Sequence, residues 1–581
     1  MAAFLGVEHS LTGRRWVGPD DGIARMAEAL EQASGRAGAL CQLLARAGVA
    51  PADVDAYLNP TLRDTLPDPR SLRDMDVGVS RFIAAVKSRQ AIAIFADYDV
   101  DGGSSAALLL CWLRAMGLSA TLYVPDRIDE GYGPNEAAMA ELAAAHDLII
   151  CVDCGTLSHG PIAAADGADV IVLDHHLGLE TLPDAVAVVN PNRADESGDL
   201  AHLCAAAIVF LFLVETNRQL REAGQTGLPD LMQSLDLVGL ATVADVAPLI
   251  GVNRTFVRQG LRIMAARARP GLAALADVAK IDSAPTAHHL GYVLGPRINA
   301  GGRIGKADLG ARLLSTADPH EARALAERLD ALNVERREVE NAVRLAAIDQ
   351  ADAREGFANL AWASGTGWHP GVVGIVASRL KERTHKPSIV IGIDGDIGKG
   401  SGRSVSGIDL GHVIQRVAAE GLLIQGGGHK MAAGLTVAVD NLEAAMARID
   451  ALIGAQAKTV GQAEVLRLDA ALFTPAATVE LIEDLELAGP YGAAMPAPSF
   501  AFADQKITFA KRVGDNHLKL RFSDGLGQLD AIAFGAFDSD LGPALEAHGG
   551  AHFHLAGRLE INAWQGRRTA QLMLRDAAPV S

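Results

Sequence analysis

The sequence predicts a mixed α/β protein in four parts: a parallel-sheet domain, a bridging helix, a smaller α/β domain and a C-terminal β-barrel. Three observations predict it. Short apolar runs alternate with helical stretches between Ala91 and Leu173, the rhythm of a parallel sheet with helices on both faces. The charged stretch Ala317–Asp352 lacks glycine and has proline only at its start, as one long helix requires. Short strand-like runs separated by turn residues fill the end of the chain, which suits a small barrel.

Residues 1–85 read as helix and loop, punctuated by Pro51, Pro60, Pro67 and Pro69. They are expected to pack on the parallel-sheet domain, residues 86–316. In that domain Ala91–Ala96, Ala120–Val124, Leu148–Val152 and Val170–Leu173 read as strands, and Gly103–Met116 and Asn135–Ala145 as helices. Residues 317–352 form the connecting helix, with Leu325, Leu329, Leu332 and Val339 on its apolar stripe. A glycine-rich α/β region follows at 353–456. Residues 457–581 form the barrel, with strand-like runs at Lys519–Phe522, Ala531–Phe534, His552–Ala556 and Gln571–Leu574.

Composition narrows the class. A chain of 581 residues, 49% hydrophobic, holds several domains with ample cores. The longest apolar run, Ala205–Val214, is too short to span a bilayer. The N-terminus MAAFLGVEHS has no basic segment ahead of an apolar one, so no secretory signal is expected. Five scattered cysteines fit a reducing compartment, and the expected location is the cytoplasm, with no membrane partner. The net charge of −18 disfavours a non-specific nucleic-acid coat. Distribution matters more than the sum. Basic residues outnumber acidic ones between Ala361 and Gly434 and balance them from Phe500 to Ser581, so a polyanion can dock on the C-terminal half.

The chemistry lies at the strand tips. The first strand runs into Asp97-Tyr98-Asp99-Val100-Asp101-Gly102, the third into Asp153, and the fourth into Asp174-His175-His176. Ligands of open parallel sheets bind beyond the carboxyl ends of the strands, so these tips are expected to share one crevice. Asp245 follows an apolar helical stretch and adds a further carboxylate. So many converging acids repel one another unless cations neutralise them. Mixed carboxylate and imidazole ligation suits Mn²⁺ or Mg²⁺, and two such ions activate water for displacement at phosphorus. A lone Asp after a strand is an ordinary turn former or cap; three such tips, one continuing into His-His, are not. Cys151 and Cys154 form a C-x-x-C pair with no second pair to complete a zinc site, and read as packing residues.

Three glycine-rich segments are anion-binding candidates. Gly398-Lys399-Gly400-Ser401-Gly402-Arg403-Ser404 reads as a phosphate-cradling loop. Gly426-Gly427-Gly428-His429-Lys430 reads as the opening of an apolar helix, and Asn299-Ala300-Gly301-Gly302-Arg303 as a third loop. Together they suggest a phosphate-binding domain across a cleft from the metal site. The barrel is richer in aromatics than the 4% chain average. They serve either as its core or as a base-stacking surface of the oligonucleotide-binding (OB) kind, with Trp564 and His517 as candidates.

The motif set resembles the DHH phosphoesterase superfamily: DYDVDG from Asp97, the lone Asp153, DHH from Asp174, and Asp245. The second half is similar to the DHHA1 domain, in WHPGVVGIVASRL from Trp368, GKGSGRS from Gly398 and GGGHKMAAG from Gly426. LLARAGV (Leu43–Val49) and YLNP (Tyr57–Pro60) extend the likeness towards the N-terminus.

The resemblance implies a 5′→3′ exonuclease that releases 5′-mononucleotides from single-stranded DNA with two Mn²⁺ or Mg²⁺ ions, and a role in DNA repair and recombination. It implies Asp99, Asp101, Asp153, His175 and Asp245 as metal ligands, with Asp97 and Asp174 completing the catalytic set and His176 near the scissile phosphate. It implies Asn299, Arg303, Ser401, Arg403 and His429 as substrate-binding residues. The expected partners are single-stranded DNA, a single-stranded-DNA-binding protein and a helicase. Two alternatives stand beside this reading: a phosphodiesterase of the same superfamily acting on short oligonucleotides or cyclic dinucleotides, and a non-catalytic DNA-binding scaffold.

Overall fold

Uninterrupted aliphatic runs cannot lie at a surface, and the first of them become fully buried strands. The computed structural model describes residues 3–126, 130–457, 465–564 and 566–580. The chain divides into two compact units.

The larger unit comprises Asp68–Asp245 and Gln259–Gly461. Its first sheet contains β1 (Ile92–Ala96), β2 (Thr121–Tyr123), β3 (Leu148–Val152), β4 (Asp169–Leu173) and β5 (Ala187–Val189). All pairings are parallel, in the order β2-β1-β3-β4-β5. Every residue of β1 and β3 is buried, which explains why neither run alternates with polar residues. Helices α1 (Val100–Ala115), α2 (Glu136–Ala143), α3 (Ala205–Glu222), α4 (Leu235–Ala244) and α5 (Gly295–Ile304) belong to the same part of the unit.

The connecting helix is α6 (Pro319–Ala353), started by the Asp318 side chain, which accepts from His320 N at 2.9 Å. Leu325, Leu329 and Leu332 are buried as the stripe requires, whereas Val339 is only partly so. Val343 and Ala347 join a core with Val372, Val376 and Val390 of the second α/β region. That region contains β6 (Ala361–Thr366), α7 (Pro370–Thr384), β7 (Ser388–Asp394), β8 (Ile397–Arg403), α8 (Leu410–Ala419), β9 (Gln425–His429) and β10 (Ala432–Ala438). Its sheet runs β9-β10-β8-β7-β6, with only β6 and β7 parallel.

Three expectations need correction here. GKGSGRS is strand β8. Alternate residues of a strand face opposite sides, and Cβ atoms at Gly398, Gly400 and Gly402 would lie 2.8 Å from Ile391, Ile391 and Leu410. Close packing explains these glycines, not loop freedom. The GGGHK segment forms β9 and its turn into β10, and opens no helix. Asn299–Arg303 lies inside helix α5.

The second unit comprises Met1–Pro67, Val246–Arg258 and Gln462–Ser581. Strands β11 (Ala470–Ala471), β12 (Phe500–Val513), β13 (His517–Ser523), β14 (Gln528–Ala533), β15 (His552–Trp564) and β16 (Arg567–Pro579) build its sheet. Five of them close in the order β12-β13-β14-β16-β15, with β15 returning to β12. Phe500, Phe502 and Phe522 fill the core, so these aromatics are structural. Phe509 and Phe534 are exposed, and His517 meets Phe534 edge-on. The Trp564 side chain lies outside the described residues. The expected N-terminal segment is split: Leu30, Leu40, Leu43 and Leu44 share the barrel's core, while the helix Met75–Ser88 belongs with the parallel sheet. Among the described residues, no helix is long and apolar enough to cross a membrane.

Candidate metal centre and its anion-binding flank

Each acid is aimed by the element that ends or begins at it. Asp99 caps α1, its Oδ1 accepting from Asp101 N at 2.8 Å and Gly102 N at 3.1 Å. A Cβ at position 102 would lie 2.4 Å from the Asp97 carbonyl oxygen, so this tight turn admits only glycine. Helix α3 has no capping side chain of its own at Cys204. Asp101 supplies the cap from α1: its two carboxylate oxygens accept from Ala205 N at 2.7 Å and Ala206 N at 2.8 Å. A buried carboxylate is thereby held against the positive end of a helix.

Asp153 follows β3 with φ at +61°, a left-handed conformation that is tolerated by Asp better than by most side chains. Its N–H donates to the Leu173 carbonyl at 3.0 Å, and its carbonyl accepts from the Tyr132 hydroxyl at 3.0 Å. Its buried Oδ1 makes no hydrogen bond, although it lies 3.2 Å from His175 Nε2.

Asp174 has a different role from its neighbours. Its Oδ1 accepts from His175 N, His176 N and His176 Nδ1, at 2.7, 3.2 and 2.8 Å, and its Oδ2 accepts from Thr156 N at 3.0 Å. A carboxylate so fully occupied orients the two histidines. Two residues that sequence reasoning missed hold the same loop. Asn190 Nδ2 donates to the His176 carbonyl at 2.8 Å, and Asn192 Nδ2 to the His175 carbonyl at 2.6 Å. Tyr132 is a third. Its only sequence signal is the pair of glycines flanking it, Gly131 and Gly133, at φ +92° and +76°.

The donor atoms converge. Among the described residues, three sets lie close enough to hold a metal ion: Asp153, His175 and His176; Asp101, His175 and Asp245; and Asp97, Asp99 and Asp153. Asp153 and His175 each belong to two sets, so the sets form one continuous cluster. His175 Nε2 is 3.7 Å from Asp101 Oδ2, and its Nδ1 is 3.8 Å from Asp245 Oδ2. Burial, then the charges of Asp101 and Asp99, pushes Asp245 up to about 8. Burial likewise raises Asp101 and, more strongly, Asp153. At His176 burial opposes the charged form, but the Asp174 hydrogen bond and charge prevail and raise it to about 9. Hard oxygen donors outnumber imidazoles and no thiol joins them, a set suited to Mn²⁺ or Mg²⁺. The undonated Asp153 Oδ1 and the crowded raised carboxyls fit a centre that such cations neutralise. Cys151 and Cys154 are buried, free thiols packed in the sheet's core.

The five expected substrate residues lie on two neighbouring structures. A Cβ at Gly302 would come 2.9 Å from Tyr98 Cβ, so α5 rests directly on the Asp97–Asp101 turn. Asn299 and Arg303 share one face of α5, four residues apart. Arg303 Nη1 donates to the Gly371 carbonyl, at the start of α7, at 2.8 Å. Arg403 Nη1 donates to Ser401 Oγ at 2.9 Å, and a Cβ at Gly374 of α7 would lie 3.0 Å from Ser401 Oγ. Pairing places Arg403, Ala432 and His429 in one row across the sheet, and Ser401, Gly434 and Gly427 in the next. Cβ atoms at Gly427 and Gly434 would meet nothing within 4 Å. The result is a low, open floor beside Arg403 and His429.

Three family models match successive parts of the chain. The DHH family N-terminal domain matches residues 91–242, the DHHA1 domain 357–455 and the RecJ OB domain 468–576. The single-stranded-DNA-specific exonuclease RecJ of Dickeya dadantii is 38% identical over 543 residues, covering 90% of this chain and 93% of the relative. The chain belongs to the RecJ family. The Escherichia coli RecJ is 35% identical over 88% of this chain and 91% of its own length. The structure of Thermus thermophilus RecJ in complex with Mn²⁺ matches 97% of this chain and 79% of its own, with a TM-score of 0.81 and 28% identity. A second RecJ structure from that organism, in complex with Mg²⁺, matches with a TM-score of 0.75.

Proposed function

We propose that the chain is a metal-dependent exonuclease specific for single-stranded DNA, removing 5′-mononucleotides in the 5′→3′ direction in DNA repair and recombination. The observation that carries it is the cluster of overlapping donor sets at the tips of the parallel strands, in a chain whose relatives are single-stranded-DNA-specific exonucleases. Asp99, Asp101, Asp153, His175 and Asp245 would hold two Mn²⁺ or Mg²⁺ ions, with Asp97 as a sixth donor. The bound ions supply a water activated near neutral pH and offset charge on the phosphate oxygens.

The chain's own residues do the rest. Asp174 accepts from His176 Nδ1 and so holds the ring beside the position of the scissile phosphate. Arg303, Ser401, Arg403 and His429 bind the strand's phosphates, and Asn299 lies beside Arg303. Residues 86–316, 353–456 and 457–581 would act as catalytic, phosphate-binding and strand-binding domains, with 1–85 as support and 317–352 as connector. A cytoplasmic location and cooperation with a single-stranded-DNA-binding protein and a helicase belong to the same reading.

A 5′-phosphorylated single strand incubated with Mn²⁺, labelled at either end in separate reactions, tests the assignment. Mononucleotides should appear first from the 5′ label and not at all with EDTA. Release first from the 3′ label would reverse the polarity, and cleavage of dinucleotides alone would favour the short-oligonucleotide alternative.

A further inference from the structure

Tyr132 is placed where no packing argument requires it. The residue is 54% exposed, yet its hydroxyl reaches the buried centre. It lies 3.0 Å from the Asp153 carbonyl oxygen and almost equally far from both nitrogens of the His176 ring, 3.2 Å from Nδ1 and 3.1 Å from Nε2. The His176 ring meets the tyrosine ring nearly edge-on, with centroids 5.6 Å apart. The hydroxyl therefore rests against the ring edge between the two nitrogens, while Nδ1 also bonds to Asp174 at 2.8 Å. A hydroxyl has one hydrogen and two lone pairs. It donates to the carbonyl and turns its lone pairs to the ring edge.

Asp153 needs such a partner. A strand residue that turns left-handed takes its carbonyl out of the sheet's hydrogen bonding, and a buried carbonyl without a donor is costly. The Asp153 N–H is fixed by β4 and its carbonyl by Tyr132. Between those two bonds the direction of the carboxylate is set. That carboxylate belongs to two of the three donor sets, and His176 to one of the same two.

We propose that Tyr132 is a positioning residue of the metal centre, its hydroxyl locking the Asp153 backbone and bracing the edge of the His176 ring so that the Asp153 carboxylate and that ring hold their places. The proposal rests on the metal-dependent reading of the site. Partners of this kind, one shell outside the metal, commonly change metal affinity or activity by about 10–100-fold.

The test is Tyr132→Phe, which removes one oxygen and keeps the ring. Mn²⁺ affinity is measured first on the DNA-free protein, by calorimetry or by the paramagnetic signal of free Mn²⁺. The variant should bind Mn²⁺ about 10-fold or more weakly, and kcat at saturating Mn²⁺ should fall while KM for a single strand stays within about twofold. Unchanged Mn²⁺ affinity together with unchanged kcat would overturn the proposal. So would a lower melting temperature with wild-type metal affinity, since the hydroxyl would then serve the fold alone. Failure of the wild-type protein to degrade DNA would count against the functional reading, while the Mn²⁺ comparison would still decide the role of Tyr132.

Discussion

Asp153 and Asp101 are both buried acids of one cluster, and they should respond oppositely to substitution. Asp153 Oδ1 accepts no hydrogen bond, so Asp153→Asn removes repulsion without orphaning a donor. The metal-free variant should melt no lower than wild type by calorimetry, while Mn²⁺-dependent turnover falls by orders of magnitude. Asp101→Ala strips the cap from α3 and leaves the Ala205 and Ala206 N–H groups buried without partners. Its metal-free stability should drop by about 1–3 kcal/mol in denaturant titration. Equal melting temperatures for the two variants would contradict the distinction.

The raised carboxyls also give a pH signature. Asp245 titrates near 8 in the metal-free protein, so below that pH a cation must displace its proton. Apparent Mn²⁺ affinity should therefore climb between pH 6 and 8 and level off above. The linkage to stability has the opposite sign. A carboxyl raised above its unfolded value of about 3.9 binds more protons when folded, so its contribution to stability is progressively lost as pH rises from about 4 to 8. Chelated protein should show that decline, and Mn²⁺ should reduce it. A flat affinity profile would mean that these acids are ionised before metal arrives.

At the scale of the element, strand β8 and helix α5 separate what pattern reveals from what pairing decides. β1, β3 and β4 were legible because aliphatic runs end abruptly on Asp, and a buried parallel strand with a ligand at its tip leaves that trace. The glycines of GKGSGRS recur at every second residue, as in a strand, but having no side chains they show no apolar face, and GGGHK shows no alternation at all, so the sequence does not separate a loop from a strand whose neighbours crowd it. Asn190, Asn192 and Tyr132 act on carbonyls and rings far away in sequence, and α3 takes its cap from a residue about a hundred positions earlier. Such dependence has no local signal.

The strand assignment is testable through its glycines. Gly402→Ala should destabilise the protein by about 1–3 kcal/mol, because the added methyl meets Leu410 at 2.8 Å and Ile389 at 3.3 Å. Gly434→Ala meets nothing and should leave the melting temperature nearly unchanged. Comparable tolerance at both positions would favour a flexible loop. On the opposite face, Arg403→Ala should weaken binding of a 5′-phosphorylated strand by about 1.5–3 kcal/mol at matched salt, with Mn²⁺ affinity retained. Unaltered strand affinity would remove Arg403 from the binding surface.

At the scale of the whole molecule, an acidic protein must bind a polyanion through a few local cations. With a net charge of −18, strand binding should weaken steeply with salt, because each phosphate contact releases counterions. The candidate metal centre lies at the strand tips beneath α5, and α5 meets the start of α7 through Arg303. We propose that a single flexible strand reaches these tips along this path and that a stiff, wide duplex is excluded. Selectivity of this origin requires no readout of base edges. The most direct test follows one labelled strand whose 5′ end is single-stranded, recessed in a duplex or blunt, at fixed ionic strength with saturating Mn²⁺. Rapid degradation of the single-stranded end, with both duplex ends far slower, is the expected result; comparable initial rates on all three would contradict it.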